Sequence, residues 1–270
     1  MTLPIDLVLI RHGQSEGNLA KKLSKDGNNA SVDILRDRHT ARYRLTKKGR
    51  RQAQGTGIWL RNEFGDLKAI FDIFLVSEYI RAVETAGLLN IPHAQWTLDF
   101  NLRERVNGNS GTKTEEERRK ALGEALKVLD AEPYFWAPPG AESYTELCER
   151  LRIPLAMLHR ECESKRVLCV CHGEVMWGFR ILLERLSQDQ FKKLHISEKD
   201  FNRIHNGQVL HYTRRNPETG RMADHANWLR MVRPTEDPVW DSGWQEIARP
   251  FYSNKDLLKI ARHVPLLVEK

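Results

Sequence analysis

The chain has 270 residues, 40% of them hydrophobic and 29% charged, enough apolar side chain to bury the core of one generous domain or of one domain with an appendage. No apolar run nears the roughly 18 to 20 residues of a membrane span, and the stretch from Ile5 to Ile10 has neither the basic lead nor the cleavage site of a secretory leader, so membrane-embedded and secreted classes are set aside. With 43 Lys and Arg against 36 Asp and Glu the formal charge is +7, which favours anionic partners without choosing among nucleic acid, phosphorylated metabolite and plain solvation.

In chain order, Ile5 to Ile10 is a strand, apolar but for Asp6, that runs straight into Arg11, His12 and Gly13. The next stretch, Leu19 to Arg44, is long and polar, and two readings of it stand open: a lid that brings Arg38, His39 or Arg42 to a ligand, or a solvated loop. Lys47 to Phe64 has helical periodicity, with "KKGRR" read as a solvated face. Phe71 to Ser77 is a second strand, followed by a helix over Arg81 to Leu89.

Beyond "LRERV" a helix is expected over Glu115 to Leu129, its "EEERRK" again solvated. The intervening "GNSGTKT" is no P-loop, because no Gly is followed by Lys and then Ser or Thr. Tyr144, Leu147, Leu151, Leu155, Leu158 and Cys162 form one stripe, which predicts a core-facing helix kinked near Pro154. Arg166 to His172 is a third strand, and Val175 to Leu186 a helix after it. Cys148, Cys162, Cys169 and Cys171 show no disulfide-framework spacing, and Cys169 and Cys171 sit two apart in the strand as small core residues; a reducing cytoplasm fits them.

After residue 205, "GQVLHYTRR" and "ANWLRMVRP" flank the turn-rich "NPETGR" and predict a hairpin on the sheet edge. The tail carries Trp240, Trp244, Phe251 and Tyr252, then a short helix that Ser253 and Asp256 would cap as a box. It is expected to pack back on the main domain, the alternative being exchange within a homodimer. Strands too continuously apolar to have a wet face, alternating with amphipathic helices, make a layered α/β domain around a mostly parallel sheet. The whole of 1–270 is read as one domain, with 19–44 as the lid insertion and 214–270 as the C-terminal extension.

In an open α/β sheet, ligands collect beyond the carboxyl ends of the strands. Those ends carry Arg11-His12-Gly13, then Ser77 with Arg81 in "SEYIRAVETA", then His172-Gly173. Glycine after each histidine lets backbone N–H groups approach an anion. Two arginines beside two histidines would repel one another in a dry pocket unless a dianion neutralised them, and the planar guanidinium matches phosphoryl oxygens. The pattern points to phosphate. The ten histidines contain no HExxH or paired Cys/His spacing, so no metal site or other cofactor is expected.

The blocks "RHGQSEGN", "RLTKKGRRQAQ", "SEYIRAVETA", "LRERVNG", "PPGAESYTELCERL" and "VCHGEVM" stand in the order found in the histidine phosphatase superfamily, which the chain resembles from residue 7 to about 178, with weaker similarity in "NGQVLHY". The resemblance implies a three-layer αβα sandwich of the phosphoglycerate mutase-like kind. It makes His12 the nucleophile that becomes phosphohistidine, Arg11, Arg81 and His172 the holders of the transferring oxygens, and Glu104 the general acid. Gly13, Ser15, Asn18 and Gly173 are the expected substrate-binding set. Glu174 is a rival for the acid. One branch of the superfamily has an acid directly after its second histidine; here Gly173 fills that position and Glu174 comes one later.

The expected activity is phosphomonoester hydrolysis on a small phosphorylated substrate. A phosphoglycerate-type mutase is the nearest rival, although Arg118, Arg119 and "YFWAPPG" only loosely match the insertion such mutases carry, and "PPGAES" is closer to the phosphatases. A non-catalytic phospho-ligand or nucleic-acid binding module ranks last, because the aromatics are not interleaved with Lys or Arg in any recognised nucleic-acid motif.

Overall fold

The computed structural model describes residues 2–108, 113–123, 125, 128, 132–195, 197 and 202–268. Among them the strands β1 (Asp6–Arg11), β2 (Ile73–Ser77), β3 (Trp96–Asp99), β4 (Arg166–Cys171), β5 (Val209–Thr213), β6 (Trp228–Arg233) and β7 (Trp240–Glu246) form one sheet in the order β3-β2-β4-β1-β5-β6-β7. The first four in chain order run parallel, β4 pairing both β1 and β2, and β5 to β7 continue antiparallel from β1.

Alternation along the buried strands divides the core in two. Leu7, Leu9, Leu75, Val167, Cys169 and Cys171 point to one face, where the helices α7 (Tyr144–Glu161) and α8 (Gly173–Glu184) supply Leu147, Leu151 and Met176. Val8, Ile10, Phe74, Val76, Leu168 and Val170 point to the other, against Leu60 of α3 (Lys47–Phe64) and Ala82 and Ala86 of α5 (Ile80–Leu88). The period-two geometry of a strand sends successive side chains to opposite faces, so an uninterrupted apolar run is what a doubly covered sheet demands. The result is the three-layer αβα sandwich around a mostly parallel sheet. No helix among the described residues is long and apolar enough to cross a membrane.

Helix α7 follows the expected stripe and runs through Pro154, its start closed by a capping box between Ser143 and Glu146. The segment 19–44 differs from a solvated loop. It folds as α1 (Glu16–Lys25), α2 (Ala30–Leu35) and a 3₁₀ turn at Thr40–Arg42, with Ala20, Val32, Leu35 and Tyr43 making a small apolar cluster of their own. Short α4 (Leu67–Ile70) leads into β2. Helix α6 (Glu115–Leu122) is interrupted inside the expected span at Gly123, with φ 47°, and residues 125 and 128 are again helical; residues 124, 126, 127 and 129 lie outside the described residues, as do 109–112 of "GNSGTKT".

Helix α9 (Gln188–His195) follows α8, and the expected hairpin is β5 with β6. The tail departs from expectation. Up to Arg249 it is anchored: that guanidinium donates to Leu183 O, Asn227 Oδ1 and Ala226 O at 3.0, 2.8 and 2.6 Å. From residue 251 to 268 every residue is exposed, Phe251 and Leu267 at 88%, so the last part of the extension does not pack on the domain. Helix α10 (Asn254–Arg262) forms there with the expected Ser253–Asp256 box. Phe251 and Tyr252 before it and Leu257, Leu258 and Ile260 within it, expected to pack back on the domain, are covered by no described surface.

Candidate active site

The carboxyl ends of β1, β2 and β4 open on a cavity of about 480 Å³. Arg11, His12, Ser15, Asn18, Arg81, Glu104 and Glu174 line it, joined by Lys21, His39, Tyr43, Tyr79, Arg105 and Arg118. Parallel strands end with their carbonyl edges at one side, so residues one or two past each strand converge whatever their separation in sequence.

Two hydrogen bonds settle the His12 tautomer. Nδ1 lies 2.7 Å from Gly13 O, which can only accept, so Nδ1 carries the proton. Nε2 accepts from Arg81 Nε at 3.0 Å, so its lone pair is held by a guanidinium that also lines the cavity. Burial, with Arg81 and Arg11 alongside, holds the His12 imidazole well below its usual pKa and keeps it neutral. His172 is likewise pushed well below, by burial first and then by Arg81 and the other histidine. The rings stand edge to face with centroids 5.0 Å apart.

Glu104 comes from the loop after the 3₁₀ turn Phe100–Leu102. Its carboxylate oxygen and one ring nitrogen from each of His12 and His172 all lie within 4.8 Å of one another. Such a spread would also suit a small cation, but the guanidiniums of Arg11 and Arg81 set the local charge against one. Burial, and then the nearby Glu174, push the Glu104 carboxyl above its ordinary range. Glu174, in the first turn of α8, behaves oppositely. Burial works to raise it, but Arg105, His195, the Tyr144 hydroxyl and Lys21 together bring it below the ordinary value.

His172 is fully buried and does not itself line the cavity. Its Nε2 lies 2.7 Å from Ser77 Oγ, while Nδ1 has no hydrogen-bond partner. Arg11 Nη1 donates to Ile204 O, and its Nε is also buried and unpartnered. Buried nitrogens without a partner are uncommon in folded proteins.

Ser15 caps α1: Asn18 N donates to Ser15 Oγ at 3.2 Å and Ser15 N to Asn18 Oδ1 at 3.1 Å. Both line the cavity, and the capping role leaves the Asn18 amide nitrogen for a ligand. Gly13 and Gly173 do not line it. A Cβ at Gly13 would stand 2.2 Å from Gly49 O, and one at Gly173 would meet Arg11 Nε at 3.2 Å. These glycines admit a backbone and a guanidinium, respectively, rather than a ligand directly. Of the candidates in 19–44, His39 lines the cavity, Arg38 reaches Glu16 at 3.4 Å, and Arg42 is exposed outside it.

Three contributors escaped the sequence reading. Asn206 donates to His12 O at 3.0 Å and to Asn18 Oδ1 at 3.1 Å, bridging the His12 loop to α1. Thr85, one turn after Arg81, accepts from Gly13 N at 3.1 Å and donates to Arg81 O at 2.7 Å. Thr40 O, in the 3₁₀ turn, accepts from Arg81 Nη1 at 2.8 Å. Asn206 opens the "NGQVLHY" block, and the i, i+4 spacing of Arg81 and Thr85 on one helix face was a signal available for the second.

The family model described as histidine phosphatase superfamily (branch 1) matches residues 7–218. A 2,3-bisphosphoglycerate-dependent phosphoglycerate mutase of Afipia carboxidovorans is 29% identical over 200 residues, covering 71% of this chain and 86% of that protein. The 6-phosphofructo-2-kinase/fructose-2,6-bisphosphatase of Gallus gallus is 29% identical over 174 residues, 64% of this chain. The match spans only 31% of that longer relative. Among solved structures, a putative alpha-ribazole-5'-P phosphatase from Escherichia coli superposes with a TM-score of 0.60 at 21% identity, over 83% of this chain and 97% of that one; at that identity the likeness is one of fold.

Proposed function

The chain belongs to the histidine phosphatase superfamily, and from that premise we propose that it is a phosphomonoester hydrolase working through a phosphohistidine on His12. The observation that carries the reading is the His12 tautomer: a neutral imidazole with Nδ1–H held by Gly13 O and an unprotonated Nε2 that accepts from Arg81, beside a cavity lined by Arg11, Arg81 and Glu104.

In the first step Nε2 attacks phosphorus in line and the ester P–O bond breaks. The departing oxygen takes the proton carried by Glu104. The ring gains positive character as the N–P bond forms, and the Gly13 carbonyl on Nδ1–H stabilises it. Arg11 and Arg81 bind the phosphoryl oxygens. A Ser77 hydroxyl that donates to His172 Nε2 leaves the His172 proton on Nδ1, where it adds a third donor. In the second step the Glu104 carboxylate takes a proton from water as that water attacks phosphorus; the P–N bond breaks, phosphate leaves and His12 returns to its starting tautomer.

The test is a rapid quench with labelled substrate. An acid-labile, base-stable phosphoryl adduct is expected on the wild type and none on His12→Ala; an adduct on that variant would overturn the assignment. A mutase reading is favoured by one specific observation, the similarity covering 86% of a phosphoglycerate mutase. It predicts that a bisphosphoglycerate primer speeds isomerisation of a phosphoglycerate beyond phosphate release, whereas the hydrolase reading predicts release alone.

A further inference from the structure

The cavity holds a second carboxylate that the two-step chemistry leaves without a task. Glu174 sits in the first turn of α8, where the partial positive charge of a helix start favours an anion. Arg105 Nε donates to Glu174 Oε2 at 3.2 Å, and the Tyr144 hydroxyl donates to the same oxygen. Tyr144 is itself fixed, its oxygen 2.8 Å from His195 Nε2 and its ring packed on Phe191. Arg105 also links the two acids: its backbone N–H donates to Glu104 Oε1 at 3.0 Å while its guanidinium holds Glu174.

We propose that Glu174 is a positioning residue for the general acid: a carboxylate pinned by Arg105, Tyr144 and the start of α8, whose fixed negative charge beside Glu104 keeps the proton on Glu104 between turnovers. This rests on the phosphohistidine reading and deepens it. Two neighbouring carboxyls in one pocket do not both ionise easily, and the one with committed donors takes the charge. Glu104 receives one backbone donor, whereas Glu174 receives a guanidinium, a phenol and a helix start. Around Glu104 stand the neutral rings of His12 and His172 and the guanidiniums of Arg81 from α5 and Arg11 from the end of β1, and those two cations would strip its proton were no anion opposed to them. Around Glu174 stand Lys21 from α1, Arg105, Tyr144 from α7 and His195 from α9. The directions of the two carboxyls, one raised and one lowered, agree with this division.

The same geometry separates Glu174 from the rival role of proton donor. An anion already accepting from Arg105 and Tyr144 has no proton to give, and donation would break both contacts.

The test is the pH profile of kcat/KM for an alkyl phosphate. The acid must be protonated, so the rate falls as pH rises through its pKa. Glu104→Gln should remove this basic limb. Glu174→Gln should keep the limb but move it about 1 pH unit lower, and Glu174→Asp should restore it toward the wild-type position. If Glu104→Gln abolishes the limb while Glu174→Gln leaves it in place, the inference about Glu174 alone falls. If the limb survives in Glu104→Gln, the acid assignment falls and takes this inference with it. If Glu174→Gln abolishes the limb instead of shifting it, Glu174 is the acid and the proposal is wrong. A carbon-13 titration of the side-chain carboxyls in the wild-type protein, assigned by Glu104→Gln, needs no variant at 174: the Glu104 resonance should titrate above the ordinary glutamate range, and titration below it would overturn the proposal.

Discussion

Arg81 Nε donates to His12 Nε2 at 3.0 Å, so the lone pair that the proposed mechanism turns on phosphorus is capped by a guanidinium. An incoming phosphoryl group offers Arg81 a charged acceptor in place of a neutral one, and charge-assisted hydrogen bonds are about twice as strong. On the proposed mechanism, substrate binding would thereby uncover the His12 nucleophile. The same cation suppresses protonation of His12, second only to burial.

The first prediction follows from that pair. Phosphoenzyme formation in the wild type should stay level as pH falls through 6.5, the ordinary imidazole value, because His12 remains neutral. Arg81→Ala should lower the burst rate by roughly 10² to 10³-fold and move its acid limb upward. Stopped-flow bursts from pH 5 to 8 check both, and an unchanged limb in Arg81→Ala would remove the cation from this role.

Stability should carry the same signature. His12 and His172 have folded pKa values below their unfolded ones, so their contribution is fully present above about 6.5 and is lost as pH falls toward the folded values. Melting temperature should therefore drop below about pH 6.5, before most carboxylates titrate. His172→Asn should flatten that part of the curve; an equally steep fall in the variant would contradict the cause given.

Glu104→Gln separates esters by leaving group. An alkoxide needs a proton to depart and a nitrophenolate does not. The variant should slow the first step with an alkyl phosphate by roughly 10² to 10⁴-fold and with nitrophenyl phosphate far less. Equal losses for the two esters would exclude Glu104 as the acid.

On the proposed mechanism Arg11 and Arg81 supply the positive charge, and His172 a hydrogen bond, that a divalent ion supplies to phosphoryl transfer elsewhere. Activity should survive exhaustive treatment with EDTA. Loss on chelation, restored by added metal, would refute the assignment.

Removal of residues 251–270 takes away no cavity-lining side chain and no buried described residue. Truncation after Pro250 should leave kcat/KM unchanged and the free energy of unfolding within about 0.5 kcal/mol. A clear drop in melting temperature would mean that another surface covers Phe251 and Leu267 in solution.

The buried half of this architecture was open to reading from the chain. Leu7 to Ile10 and Val167 to Cys171 are apolar without a break because both sheet faces are covered, and α7 repeats its apolar residues because one side faces the core. The edges were not legible. β3 reads "WTLD" and β7 "WDSGWQE", half-wet strands whose pairing comes from a neighbour and not from their own composition. Helix α1 buries little beyond Ala20 and Ser24, so its polarity imitated a loop, although Ser15 and Asn18 formed a cap in plain view. In the site, residues that meet phosphate by their own charge could be found by motif. Asn206 and Thr85 could not be reached by charge, because each acts through the backbone of the His12 loop, and that neighbourhood exists only after folding.

The contact between Gly13 and Gly49 carries a lesson about inheritance. A Cβ on Gly49 would stand 2.0 Å from Gln14 O, as one on Gly13 would stand 2.2 Å from Gly49 O, so loop and helix α3 touch main chain to main chain. Gly49 presents no functional group and does not line the cavity, yet any side chain there would push the loop that carries His12. A lineage could therefore place a side chain at either position only by moving the His12 loop and the start of α3 apart together, so this silent contact would tolerate drift no better than the cavity residues themselves.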